Sequence, residues 1–282
     1  MKQKKRLEIR DWRLEEDESP ISNLQSPNNG RLLSVSIPAP GVETAVFLRQ
    51  ALGQERFFWA AANGGLRLAG FGVAANLVAW GNGRFQQIQQ QAQDLFADAT
   101  IHNNDAPLAG PRLFGGFAFT DDFTPDNTWS IHYPAQFILP HYQLAQQNGE
   151  SWLTLNAILP EDESPELILP ELEEALAARL AFFLTQRRGG AEGDFKKTGI
   201  RSRPQKIVYP MSQTDWEEMI CNATDTMRNG SLNKVVLSRV CEIRYAQKVD
   251  VDGTLTHLNA HYPDCYRFLF EPRPAHAFYG AT

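Results

Sequence analysis

Cysteine is scarce in this chain of 282 residues: Cys221, Cys241 and Cys265 are an odd set, and no C-x-x-C pair occurs among them. That excludes a disulfide-stapled secreted scaffold and the common zinc-ribbon spacings. The three read as small buried thiols in a reducing compartment, where the sequons at Asn222 and Asn229 are incidental. Long apolar runs are missing too; nothing approaches the ~20 residues of a membrane span. Positive charge is in deficit, with 27 Lys and Arg against 33 Asp and Glu and a formal net charge of -6. A mildly acidic chain has no broad field for gathering nucleic acid or anionic lipid, so neither is an expected partner. The start, MKQKKR, is basic, but no apolar stretch follows it as a secretion signal requires. The expected compartment is the cytoplasm. No internal repeat, P-loop, G-x-S-x-G or HExxH is found.

What is present is a globular composition, 43% hydrophobic and 21% charged, on a chain long enough for two small domains or one large one. Residues 1–30 alternate in charge and end in SPNNG, a charged leading segment. From 31 to 188 short strand patterns broken by Gly and Pro are interleaved with helical ones. RLLSVSIP (31–38) alternates as a strand, and 42–52 reads as a short helix with Gly53 just past its end. RFFWAAA, LRLAGFGVAA and NLVAW suggest an antiparallel meander. Phe85, Ile88, Ala92, Leu95 and Phe96 put one apolar face on a helix over 84–98. PRLFGGFAF, AQFILP and SWLTLNAIL read as strands, with YQLAQQNG as a turn. EDESPELILPELEE carries seven acids and no base and opens a helix to about Arg187, a placement that suits the helix dipole. This rhythm is α+β with a mainly antiparallel sheet.

Residues 189–210 are Gly-rich and basic, a linker or surface loop. Beyond it, Thr214 to Glu217 forms a capping box for a helix reaching Gly230. Then come a strand over 232–246, a helix over 250–260, and a hairpin of CYRFLFE and HAFYGAT across Pro272 and Pro274.

Three clusters invite a chemical reading. Gly70-Phe-Gly72-Val-Ala-Ala75 fits the dinucleotide fingerprint, but the strand-like NLVAW follows where a phosphate-binding helix is needed. Glycines allowing close backbone approach explain it better. His257 and His261 share a helix face without a third ligand, which fits an exposed face rather than a metal site. Lys234, in LNKVVLSR, shares a strand face with Val236 and Ser238 while Val235 and Leu237 point the other way. If that strand is buried on both sides, desolvation frees the amine to act as a general base. If Lys234 lies at the strand start beside Gly230, it snorkels to water instead.

LNKVVLSR (232–239) resembles the signature strand of the chorismate-utilising enzymes, specifically the isochorismate synthases. AGFGVAA (69–75), PRLFGGFAF (111–119) and FYGAT (278–282) agree in order, the last resembling the start of the family's Gly-Ala-Thr/Ser-Pro-Glu motif. The resemblance implies one large α+β fold, two packed antiparallel sheets with outer helices, incomplete at its C-terminus. It implies conversion of chorismate to isochorismate, Mg2+ holding the substrate carboxylate, and a monomer when intact, serving menaquinone or siderophore synthesis. In that family the lysine at the position of Lys234 activates the attacking water, and a glutamate opposite protonates the departing hydroxyl. Gly280, Ala281 and Thr282 would line the substrate site. Relatives that make anthranilate or aminodeoxychorismate usually have glutamine in place of Lys234; salicylate synthases share the lysine and are the alternative. The family's acid and magnesium ligands are expected beyond Thr282. The expectation is therefore the N-terminal part of such a synthase, with 211–282 opening its catalytic half. By itself it would be inactive, and it would expose unpaired strand edges that favour aggregation or a partner chain. The competing readings are a non-catalytic binding remnant and a plain structural domain with accidental motif matches.

Overall fold

The structure, a computed structural model, describes residues 30–103, 105–120, 123, 129–190 and 203–282. In chain order the strands and helices are β1 (Arg31–Pro38), α1 (Thr44–Arg49), β2 (Arg56–Ala60), β3 (Arg67–Phe71), β4 (Ala75–Ala79), α2 (Arg84–Ala97) and β5 (Thr100–His102). There follow β6 (Phe114–Phe117), β7 (Ala135–Leu139), β8 (Tyr142–Gln147), β9 (Glu150–Leu159) and α3 (Pro165–Gly190). The last group is β10 (Pro204–Val208), α4 (Gln213–Arg228), β11 (Glu242–Tyr245), α5 (Val251–His261), β12 (Arg267–Arg273) and β13 (His276–Ala281).

Eight strands form one sheet in the order β13-β12-β2-β3-β8-β9-β1-β5, antiparallel throughout except for the β1–β5 pair. A second antiparallel sheet, β4-β7-β6, lies against it, and β10–β11 make a separate two-stranded ribbon. The pleat explains the layers. On one face of the large sheet Val35, Phe58, Phe71, Leu144 and Leu269 pack with Phe47 of α1, Phe183 of α3 and Leu255 of α5. On the other, Leu32 packs with Leu77, Leu139 and Ile88, and Phe57 with Phe114 and Ile138. A strand covered on both sides has no wet face, which is why RFFWA is nearly continuous in apolar residues. The α+β reading, with packed antiparallel sheets and outer helices, holds.

Glycines do the work assigned to them by the meander reading. A Cβ on Gly70 would sit 2.5 Å from the Pro140 ring, and Gly72 has φ +66, so the chain turns there from the large sheet into β4 of the small one. No helix follows, and the dinucleotide fingerprint is incidental.

Several expectations are corrected. YQLAQQ is the strand β8, and the turn is confined to Asn148-Gly149, both at positive φ as a two-residue hairpin requires. The N-cap of α4 is Ser212, whose hydroxyl accepts from the Asp215 N–H, two residues before the expected cap. Phe85 on the apolar face of α2 is half exposed, its ring stacked 4.3 Å from Phe117. Cys221 and Cys241 are exposed and Cys265 is half-buried, because the first two belong to a region that buries little.

That region produces the largest correction. Of the strand expected over 232–246, only β11 (Glu242–Tyr245) pairs, with β10, which itself falls inside the stretch read as a linker. Residues 232–241 run without a ladder partner among the described residues, and Lys234 is exposed rather than buried between two faces. β-branched residues favour an extended backbone, but a strand also needs neighbours for its N–H and C=O groups.

Candidate functional site

The site is organised by the hairpin of β12 and β13. Arg267 pairs with Ala281, Phe268 with Gly280, and the ladder closes with two bonds between Tyr266 and Thr282, at 2.8 and 2.9 Å. Gly280 faces the Phe268 ring so closely that a Cβ there would lie 3.2 Å from it. The three substrate residues expected from sequence, Gly280, Ala281 and Thr282, thus stand in a row at one end of the large sheet.

An ion-pair network fixes the hairpin to the sheet. Arg56 on β2, only 2% exposed, donates to Glu271 of β12 at 2.7 Å and to Asp252 of α5 at 2.8 Å. Its guanidinium also reaches the Leu48 carbonyl, and Glu271 accepts in addition from the Ala275 N–H in the hairpin turn. Arg56 Nε and Nη1 and both carboxylate oxygens of Glu271 have partners, which makes burial of these charges tolerable.

Thr282 stands at the rim of a cavity of about 1180 Å³ between the two sheets. Its walls are aromatic: Trp59 and Phe268 on the large sheet, Phe114 and Phe117 on β6, and Phe270 and Phe278 on the hairpin. Trp129 and His132 close one end through edge-to-face contacts with Phe278. Burial holds the His132 imidazole below the usual histidine range, and the nearby His276 pushes the same way. Among the described residues no charged side chain lines the cavity, so an anionic substrate finds no counter-charge inside it. Its polar lining is Thr120, His132, Tyr133, Gln136, Tyr266 and Thr282.

Lys234 is not among the lining residues of this cavity. It follows the left-handed Gly230 turn after α4, on the irregular segment whose Arg239 lies over the rings of Tyr209 and Trp216 at 4.5 and 5.2 Å. Of the four residues expected at the site, Thr282 alone lines the cavity; Gly280 and Ala281 precede it on β13, and Lys234 is exposed away from it.

Among the described residues no three His, Cys, Asp or Glu side chains gather to hold a metal ion. Glu271, the carboxylate on the hairpin, is fully taken up by Arg56 and Ala275. The residues present therefore do not fit Mg2+. His257 and His261 stack on the exposed face of α5, centroids 4.0 Å apart, as the absence of a third ligand implied. No described helix is long and apolar enough to cross a membrane.

Two features escaped the sequence. The Arg56 network joins positions 215 residues apart and leaves no local pattern. The aromatic cavity gathers residues from β2, β6, β12 and β13; the only signal was aromatics recurring in FGGFAF and RFLF.

Comparison with known proteins places these features in a family. A family model described as chorismate binding enzyme matches residues 19–282. A Pseudomonas aeruginosa protein named salicylate biosynthesis isochorismate synthase is 28% identical over 213 residues, covering 75% of this chain and 41% of that protein. Isochorismate synthase MenF of Bacillus subtilis is 24% identical over 237 residues, covering 80% and 46%. The structure of MenF, the menaquinone-specific isochorismate synthase of Escherichia coli, superposes with a TM-score of 0.61 at 19% identity, over 92% of this chain and 52% of that one. The chain thus spans about half the length of the relatives it matches.

Proposed function

The chain belongs to the chorismate-binding enzyme family, and from that premise we propose that it works as part of an isochorismate synthase. The observation that carries this reading is that two curated relatives, both named isochorismate synthase, align over 75% and 80% of the chain. The presence of Lys234 rather than glutamine in LNKVVLSR supports it.

In the proposed reaction a water oxygen bonds to the chorismate ring as the C–O bond of the ring hydroxyl breaks. Lys234 takes a proton from the attacking water, and the departing hydroxyl leaves as water with a proton from a general acid. That acid is not assigned to any described residue. The Gly280–Thr282 row supplies close backbone approach and one hydroxyl at the edge of the substrate. When bound, Mg2+ would supply charge for the substrate carboxylate; the described residues do not provide its ligands.

We further propose that the 282-residue chain alone does not turn over chorismate, since no described residue supplies the acid or the metal ligands. The test is to assay the 282-residue chain with chorismate and Mg2+, alone and co-expressed with the part of the Bacillus subtilis relative outside the match, following isochorismate by chromatography and salicylate by fluorescence; the chain alone should give neither, and the outcomes below refer to the co-expressed pair. Isochorismate is expected, with a loss of about 10²-fold or more in Lys234→Ala, the usual worth of a general base. Salicylate as the sole product would move the assignment to the salicylate synthases. Absence of both, or an unchanged rate in Lys234→Ala, would refute it.

A further inference from the structure

Helix α5 ends on two imidazoles set side by side. His257 and His261 are both exposed, and their rings stack with centroids 4.0 Å apart and planes 26° from parallel. Side chains four residues apart leave the same face of a helix, one turn above the other. The missing third protein ligand rules out a closed structural site. It does not rule out an open one, in which water completes the shell of the ion.

Hydrogen bonding sets one of the lone pairs. His261 Nδ1 lies 2.9 Å from the His257 carbonyl oxygen. A carbonyl only accepts, so in the neutral ring Nδ1 carries the proton and Nε2 presents its lone pair. Metal-binding histidines are held in this way, the second ring nitrogen donating to a carbonyl or carboxylate that fixes the tautomer and the ring orientation. Reach is also met. Two nitrogens bonded to one ion at about 2.1 Å each stand at most about 4.2 Å apart. Rings this close need only a small rotation to satisfy that limit, and exposed side chains rotate readily.

The local field favours a cation. His261 is the last residue of α5, where the helix dipole presents its negative end. No Lys or Arg occurs between Val251 and His261. Arg267 of β12, which donates to Asn259 on this helix, is 2% exposed. Ligand chemistry then selects the ion. Imidazole nitrogen suits borderline divalent metals such as Zn2+, Ni2+ and Cu2+, whereas Mg2+ takes oxygen ligands.

We propose that His257 and His261 form an open, exchangeable site for a borderline divalent transition-metal ion, held by two imidazole nitrogens on the last turn of α5. The bound ion staples residues four apart and stiffens the end of the helix, next to the turn whose Pro263 carbonyl accepts from Arg267. The site is separate from the substrate cavity and does not depend on the isochorismate synthase reading.

The test is calorimetric titration of the 282-residue chain, free of any histidine tag, with Ni2+ near neutral pH. A single saturable site is expected. His257→Ala and His261→Ala should each weaken it about 10²-fold, since each leaves one arm of a chelate. Ni2+ should raise the Tm of the parent chain and not that of either variant. Both positions are exposed, so the metal-free variants should melt as the parent does. Cys221→Ser with Cys241→Ser should leave the affinity unchanged, and mild acid should abolish binding as protons compete for the imidazoles. Absence of saturable binding overturns the proposal, as does binding that survives either histidine substitution, persists in mild acid or disappears with the two thiols.

Discussion

Replacing Arg56 with alanine is the most discriminating perturbation of this fold. The guanidinium is 2% exposed and holds Glu271, itself 5% exposed, at 2.7 Å and Asp252 at 2.8 Å. Removing it strands a carboxylate in the interior, and breaking a buried pair from one side costs about 3–5 kcal/mol. At roughly 2–4 °C per kcal/mol for a domain of this size, Tm should fall by about 6–20 °C. Most of the loss reflects the unpaired charge rather than the intrinsic worth of the bridge. Arg56→Ala combined with Glu271→Gln should therefore be more stable than Arg56→Ala alone, although it removes a second native group. Arg56→Lys should fall between, because one ammonium cannot reproduce the fork that reaches Glu271, Asp252 and the Leu48 carbonyl together. Thermal and urea unfolding followed by far-UV circular dichroism measures all four proteins. An Arg56→Ala loss below about 1 kcal/mol, typical of exposed pairs, would refute the reasoning. So would a double variant less stable than the single.

Adjacent glycines in β6 offer a sharper contrast. A Cβ on Gly115 would collide with the Gln136 carbonyl and lie 2.7 Å from the Phe137 Cα, whereas one on Gly116 meets nothing within 4 Å. Gly115→Ala should cost on the order of 3 kcal/mol and Gly116→Ala within about 0.5 kcal/mol in urea melts; equal effects would mean that β6 is not paired with β7 in this register. A third prediction concerns acid. Burial holds His141 below its ordinary value of 6.5, outweighing its bond to the Asn156 carbonyl and the field of Glu55. The unfolded chain then binds this proton more readily than the folded one, so stability is fully present above about pH 6.5 and is lost as the pH falls below it. His141→Gln should flatten that part of the pH–stability curve; an unchanged slope would assign the dependence to other groups.

Much of the fold was legible because its signals are local. Alternation marked β1, short runs broken by Gly and Pro marked β7 and β9, a 3.6-residue period marked α2, and the prolines at 272 and 274 marked the last hairpin. YQLAQQNG was misread since its polar glutamines masked a strand whose turn occupies only the Asn-Gly pair. The site was legible in part. Gly280, Ala281 and Thr282 were named through a resemblance, and of the three only Thr282 lines the cavity. Spacing left Lys234 either on a strand buried on both sides or beside the Gly230 turn reaching water, and it is exposed; burial belongs to whatever lies alongside and not to the segment itself. The Arg56 network and the aromatic cavity had no sequence signature, being made by residues that only the tertiary fold brings into contact.

The pairing of β12 with β2 also sets a clock. Arg56 and Glu271 are 215 positions apart, so β2 leaves the ribosome long before the strand that covers its flank. At roughly 5–20 residues per second that interval is about 10–40 s. For all of it Phe57, Phe58 and Trp59 sit on an open border of a nascent sheet. The final hairpin thus acts as a late zip fastener, and the half-made sheet is the stage of biosynthesis at which a holdase chaperone has most to protect.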